Sequence, residues 1–266
     1  MSVTDRNFGS MLREWRQRRR ISQLDLALDG NISTRHLSFL ETGRSQPSRD
    51  MVLHLAEHLA VPLRDRNVLL AAAGFAPVFS ERRYDDPALG VARQAVELVL
   101  RGHEPYPAIA VDRHWNLVAA NEAMPQLLGG VDAALLQEPA NAMRIALHPG
   151  GLAPRIVNLP EWRTHLLERL RQQVEASADP VLVALLDELR AYPAPRTPRP
   201  PPPARDYAGM VVPFELATDA GVLAFFSTIT VFGTPVDVTL SELALECFYP
   251  ANEATAAILR RAASAR

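Results

Sequence analysis

Residues 6–75 carry five helix starts, each separated from the next by a helix stop, and this punctuation constrains the fold more than any other feature of the chain. Phe8, Leu12 and Trp15 recur at helical spacing and lead into Arg18-Arg19-Arg20. Ser22 stands three residues before Asp25, as in a capping box, which predicts a helix over Gln23–Leu28 that Gly30 breaks. Ser33 is a good N-cap for a third helix running through Thr42, with Gly43 as its terminator. Pro47-Ser48 opens a fourth, Arg49–Leu59, and Pro62 a fifth that stops near Gly74. An all-α domain of five helices is therefore expected over residues 6–78.

The remainder reads differently. Residues 79–104 form a connecting segment: an irregular stretch bearing arginines and acids, Glu81–Pro87, then a helix over Ala88–Arg101. Two β-prone runs, Ala108–Asp112 and Trp115–Ala120, meet around Asp112-Arg113-His114 and predict a hairpin. Helices are expected over Glu122–Leu128 (with Asn121 as cap), Ala140–Leu147, Pro160–Ala176 and Pro180–Tyr192. Pro193–Pro203 has seven prolines in eleven residues, so it must be extended and can be neither helix nor central strand. Met210–Leu216, Val222–Val231 and Val236–Glu246 have the length and β-branched content of three antiparallel strands, and Asn252–Arg261 closes the chain as a helix. Strands, then helices, then strands make an α+β second domain, expected over residues 105–262, with a mainly antiparallel sheet.

Charge adds a clue about partners. The chain has no lysine, so all 28 of its Lys+Arg cations are arginines, set against 30 Asp+Glu. Residues 1–49 hold 9 arginines and 5 acids, a net charge of +4, which leaves 19 arginines and 25 acids, net −6, for the rest. The near-neutral total excludes a uniformly basic coat, while the first fifth of the chain is locally basic. One cysteine, Cys247, excludes a disulfide framework and a cysteine-based zinc site. Met1–Asn7 is polar, unlike a signal segment, and the longest apolar runs, Val68–Phe79 and Val222–Ile229, fall short of the ~20 residues of a membrane span. A cytoplasmic protein without a membrane partner is the expectation.

The stretch Ile21-Ser22-Gln23, Gly30, and Ser33 to Glu41-Thr42-Gly43-Arg44 resembles the helix-turn-helix of the phage-repressor-like (Xre) family. DNA reading needs a helix whose outward N-terminal residues reach base edges in the major groove. On a helical wheel Leu37 and Leu40 face the core, whereas Arg35, Ser38, Phe39 and Thr42 point away. The third helix thus presents Arg35, suited to bidentate contact with guanine, beside Thr34 and Ser38. Phe39 either touches a thymine methyl or folds back on its own domain or a dimer partner. Ser33 is a cap, a phosphate contact, or both. The resemblance implies that Gln23 positions the domain on a phosphate and that Arg16 and Glu41 form an internal ion pair. Arg44, just past the third helix, is a candidate phosphate contact, and Arg18, Arg19 and Arg20 supply electrostatics or a solvated face. The resemblance also implies double-stranded DNA as partner, a near-palindromic operator and a homodimer. His54-Leu55-Ala56-Glu57-His58 matches an inverted zincin pattern, yet it sits inside the fourth helix of a small domain with little space for a cleft, so no metal is expected there.

Ser33–Met51 (STRHLSFLETGRSQPSRDM), Pro105–Asn121 (PYPAIAVDRHWNLVAAN) and Asn141–Asn158 (NAMRIALHPGGLAPRIVN) together resemble the MmyB-like transcription regulators over about residues 8–260. The resemblance implies a PAS-like second domain that binds an acyl-chain-type ligand, a fatty acid or similar amphiphile, with no other cofactor. Such a pocket is mostly apolar with a few orienting polar groups. Val222–Val231, with Phe225, is apolar enough to be pocket wall or plain core, and Trp115 is a candidate wall. Arg144 is the candidate for holding a carboxylate, unless it pairs with a nearby acid. His148 lies on the same helical face or simply precedes Pro149-Gly150-Gly151. Asn121 is a cap or a ligand contact, and Arg155 and Asn158 tie down the following loop. The chain carries no Gly-rich phosphate loop, nucleophile elbow or Cys/His set, so an enzyme is not expected. Against the sensor reading stands a second domain that only dimerises the protein or recruits another.

Overall fold

Asn7, Ser22, Ser33 and Ser48 each accept a hydrogen bond from a backbone N–H three residues on, and each thereby opens a helix. The computed structural model describes residues 7–193, 212–233 and 237–265. It divides the chain into two units, Met1–Arg83 with Thr234–Ser241, and Tyr84–Gly233 with Glu242–Arg266.

The first unit holds α1 (Phe8–Arg18), α2 (Gln23–Asp29), α3 (Thr34–Glu41), α4 (Arg49–His58) and α5 (Leu63–Ala72). Gly43 and Gly74, where the sequence predicts stops, adopt positive φ. The core is aliphatic: Leu12, Leu26, Leu37, Leu40, Leu55 and Leu69 are fully buried, each contributing about 2 kcal/mol by leaving water. At Gly9, α1 comes so close to α3 that a Cβ would stand 2.7 Å from the Glu41 carbonyl oxygen. One buried ion pair crosses this core. Arg16 donates from Nε to Glu41 Oε1 (2.6 Å), from Nη2 to Oε2 (3.0 Å) and from Nη1 to the Ile21 carbonyl (3.0 Å). That internal role is the one expected for the pair.

A short helix from far along the chain, α10 (Val238–Ser241), belongs to this first unit. The sequence predicts one strand over Val236–Glu246; Val236 lies outside the described residues, and over the rest the structure breaks the strand. Asp237, almost fully buried, accepts from Ser80 Oγ (2.8 Å), Arg82 Nη1 (3.1 Å) and Thr239 N (2.9 Å). A carboxylate capping its own helix competes with strand pairing, so β-branched content alone misleads here.

The second unit contains α6 (Gly90–Gly102), β1 (Ala108–Val111), β2 (Leu117–Ala120), α7 (Ala142–Leu147), α8 (Leu159–Ser177), α9 (Pro180–Ala191), β3 (Phe214–Thr218), β4 (Gly221–Val231), β5 (Ala244–Pro250) and α11 (Glu253–Ser264). The strands form one antiparallel sheet, ordered β2-β1-β5-β4-β3. Alternation assigns its faces. Ala108, Ala110, Leu245 and Cys247 pack with Val96 and Leu100 of α6, while Ile109, Val111 and Phe248 pack with residues of α7, α8 and α9. The result is an α+β, PAS-like domain.

Two local expectations change. The helix predicted over Glu122–Leu128 is a 3-10 turn, Met124–Leu127. Asn121 does not cap it: buried, it accepts from Ala108 N (3.0 Å) and donates to the Leu100 (3.1 Å) and Tyr106 (2.8 Å) carbonyls, tying α6 to β1. Arg155 donates to the Leu127 carbonyl (2.7 Å) and Asn158 to the Pro213 carbonyl (2.7 Å), so both hold loops as expected. Of the proline run, residues 194–203 lie outside the described residues, as do Met210 and Val211 of the first predicted C-terminal strand.

Candidate functional site

In the first unit, α3 turns Leu37 and Leu40 inward and leaves Ser33, Thr34, Arg35 and Arg44 exposed, with Ser38 and Phe39 half-exposed. Arg35 lies over the Phe39 ring, 5.4 Å from its centroid. Ser33 Oγ accepts from His36 N (3.1 Å), the cap interaction. Gln23 is half-buried and donates to Glu41 Oε2 (2.6 Å), so the Arg16–Glu41 pair orients its amide at the start of α2. Arg18 and Arg19 both lie over the Trp15 ring, and Arg19 also donates to the Leu59 (2.9 Å) and Ala60 (3.0 Å) carbonyls. Both are thus partly structural. His54 Nε2 bonds the Gly30 carbonyl (3.0 Å) and its ring meets His58 edge-on, which joins α4 to the turn after α2.

In the second unit the helices and the sheet line a partly open apolar cavity of about 60 Å³. Its walls come from β1 (Ile109), the hairpin (Trp115), β2 (Leu117), the 3-10 turn (Met124, Leu127), α7 (Met143, Ala146), α8 (Trp162, Leu166), β3 (Phe214) and β5 (Glu246, Phe248). Trp115 has φ +67°, costly for a bulky residue. Four contacts hold it there: N–H to the Asp112 carbonyl (3.0 Å), its own carbonyl accepting from Ala142 N (2.8 Å), Nε1 to Gln173 Oε1 (2.7 Å), and the Arg169 guanidinium 4.3 Å over its ring. Among the described residues, Glu246 is the one ionisable residue in the lining. Its Oε1 accepts from Arg169 Nη1 (3.2 Å) and Ser227 Oγ (2.8 Å). Beside this pair, burial and then the positive charge of Arg169 push His165 below its ordinary pKa, against the opposing pull of Glu246.

Two family models match this architecture. One, described as the MmyB-like transcription regulator ligand binding domain, covers residues 92–262, more than half the chain. The chain belongs to the MmyB-like transcription regulators. The other, described as helix-turn-helix, covers residues 12–65. No curated protein matches the chain. This MmyB-like regulator is accordingly a DNA-binding protein with a ligand-binding domain, and none of its described helices is long and apolar enough to cross a membrane.

The sequence-predicted ligand residues of this MmyB-like regulator separate in space. Trp115 lines the cavity. Phe225 is fully buried behind the wall, 6.0 Å from Phe214 and 6.3 Å from Phe248, ring to ring. Arg144 does not line the cavity. It grips Glu188 through Nε (2.8 Å) and Nη2 (2.7 Å), the pairing that competes with ligand binding. The bond holds the Glu188 carboxyl below and the Arg144 guanidinium above their ordinary pKa values. Burial, then the bond to Glu188, pushes the Tyr192 hydroxyl up to about 12. His148 accepts from Gly150 N (3.0 Å) and meets the Tyr192 ring edge-on, so it too is absent from the lining.

The residues missed by sequence reasoning are Trp162, Arg169, Gln173 and Glu246. One signal was legible: Glu246 is the lone acid in the run Leu243–Tyr249, and alternation puts it on the same face as Phe248.

Proposed function

We propose that this regulator binds a near-palindromic operator as a homodimer and responds to a small apolar, fatty-acyl-like effector held in the cavity of its second domain. Arg35 reads a guanine edge with Thr34 and Ser38 beside it, and Phe39 supports the Arg35 guanidinium. Gln23, Ser33 and Arg44 contact phosphates and set the register. The observation that carries the sensor half is an almost wholly apolar cavity with Trp115 as one wall. Effector binding alters DNA affinity only if the effector binds two states of the protein unequally.

Selection of random duplexes by the full-length protein tests the DNA half. Two-fold symmetric sites with half-sites roughly 10 bp apart are expected. Native mass spectrometry of the protein as purified tests the rest, with a dimer carrying an apolar small molecule as the expected species. Recovery of asymmetric sites counts against a homodimer on a palindrome, and a full DNA response that no apolar compound alters favours a second domain that is only a scaffold.

A further inference from the structure

Trp162 is 4% exposed, and its Nε1 is the sole buried side-chain nitrogen or oxygen without a hydrogen-bond partner among the described residues. Leaving such a donor unmet is costly. Trp162 lines the cavity. So does Glu246, 5% exposed, whose bonds from Arg169 and Ser227 both end on Oε1. Arg169, the cation bound to Glu246, is engaged with that carboxylate and with the Trp115 ring and is absent from the lining. Arg144, the other candidate, is held by Glu188. The lining therefore includes one residue with an unmet N–H donor and one with a carboxylate, and among the described residues no cation.

We propose that the cavity selects an effector with an uncharged polar head, a carbonyl that accepts from Trp162 Nε1 and an N–H or O–H that donates to Glu246, and rejects the free carboxylate of the same chain. This rests on the reading of the cavity as an apolar-effector site and assigns that effector's chemical class: an acyl amide or hydroxy-ketone instead of a fatty acid anion. A carboxylate entering here would meet a like charge in a medium that screens it poorly. It would also trade its hydration for a single donor. A neutral carbonyl loses less water and satisfies the indole N–H.

The test titrates the full-length protein with hexanamide, hexanoate and toluene, followed by tryptophan fluorescence and saturation-transfer NMR. Hexanamide should bind at least about tenfold more tightly than hexanoate, with toluene also bound. Trp162→Phe, which keeps the ring, should weaken hexanamide about five- to tenfold and leave toluene unchanged. Glu246→Gln should narrow the gap between amide and acid. Equal or tighter binding of hexanoate by the unmodified protein overturns this inference, and so does indifference of hexanamide to Trp162→Phe. If toluene still binds in those cases, the apolar-effector reading stands. If none of the three binds, both fall.

Discussion

Arg35 lays its guanidinium over the ring of Phe39, one helical turn further along α3, at 5.4 Å from the ring centroid. The exposed cation is thereby stiffened before DNA arrives, since a stacked guanidinium has fewer rotamers to lose. Arg35→Ala should remove about 1–3 kcal/mol of sequence-specific affinity and little of the non-specific affinity. Arg44→Ala should weaken specific and non-specific DNA alike and lower the salt slope by about one. Fluorescence anisotropy at several salt concentrations separates the two. Equal losses on both DNA types for Arg35→Ala would place it among phosphate contacts.

The bidentate hold of Arg144 on Glu188 joins α7 to α9. Both side chains are more than a third exposed, so solvent screening keeps the contribution of the pair to about 1 kcal/mol or less. Arg144→Ala should lower the melting temperature by a few degrees, about 2–4 °C per kcal/mol for a unit of this size, and leave effector affinity unaltered. Loss of effector binding with an unchanged melting temperature would return Arg144 to the site.

His165 provides a pH dependence. Its folded pKa lies below the unfolded value near 6.5 because burial and Arg169 disfavour the imidazolium, with Glu246 opposing. As pH falls through about 6.5, the unfolded chain takes up a proton that the folded chain refuses, so stability decreases until the folded pKa is passed. Urea midpoints should be lower at pH 5.5 than at 7.5, and His165→Gln should reduce that difference. The same slope in the variant would assign the effect elsewhere.

Asp237 ties α10 to residues 80–82 of the first unit. Asp237→Ala removes the acceptor of Ser80 Oγ and of the Thr239 N–H in α10, and should cost about 2 kcal/mol. Asp237→Asn keeps an acceptor for Thr239 N and should cost less. A melting curve for the first unit that ignores both substitutions would remove Asp237 from its fold.

What the sequence determined by itself was local. Ser22, Ser33 and Ser48 start helices because each side chain meets a backbone N–H three residues away, and Gly43 and Gly74 stop them because they accept positive φ. The Arg16–Glu41 pair, and Trp115 as a candidate wall of an apolar pocket, were legible through family resemblance. Tertiary structure decided everything that depends on partners distant in the chain. Arg144 and Glu188 are 44 residues apart, and Arg169 and Glu246 are 77 apart, so no local pattern says which arginine faces which acid. The misread strand over Val236–Glu246 has the same cause. Its β-branched side chains favour a sheet, while the partners of Asp237, Ser80 and Arg82, stand more than 150 residues earlier and bury it as a cap. Side-chain type and spacing set which interactions are available; the fold sets which of them are made, because a buried charge must take its partner from whatever the packing brings within reach.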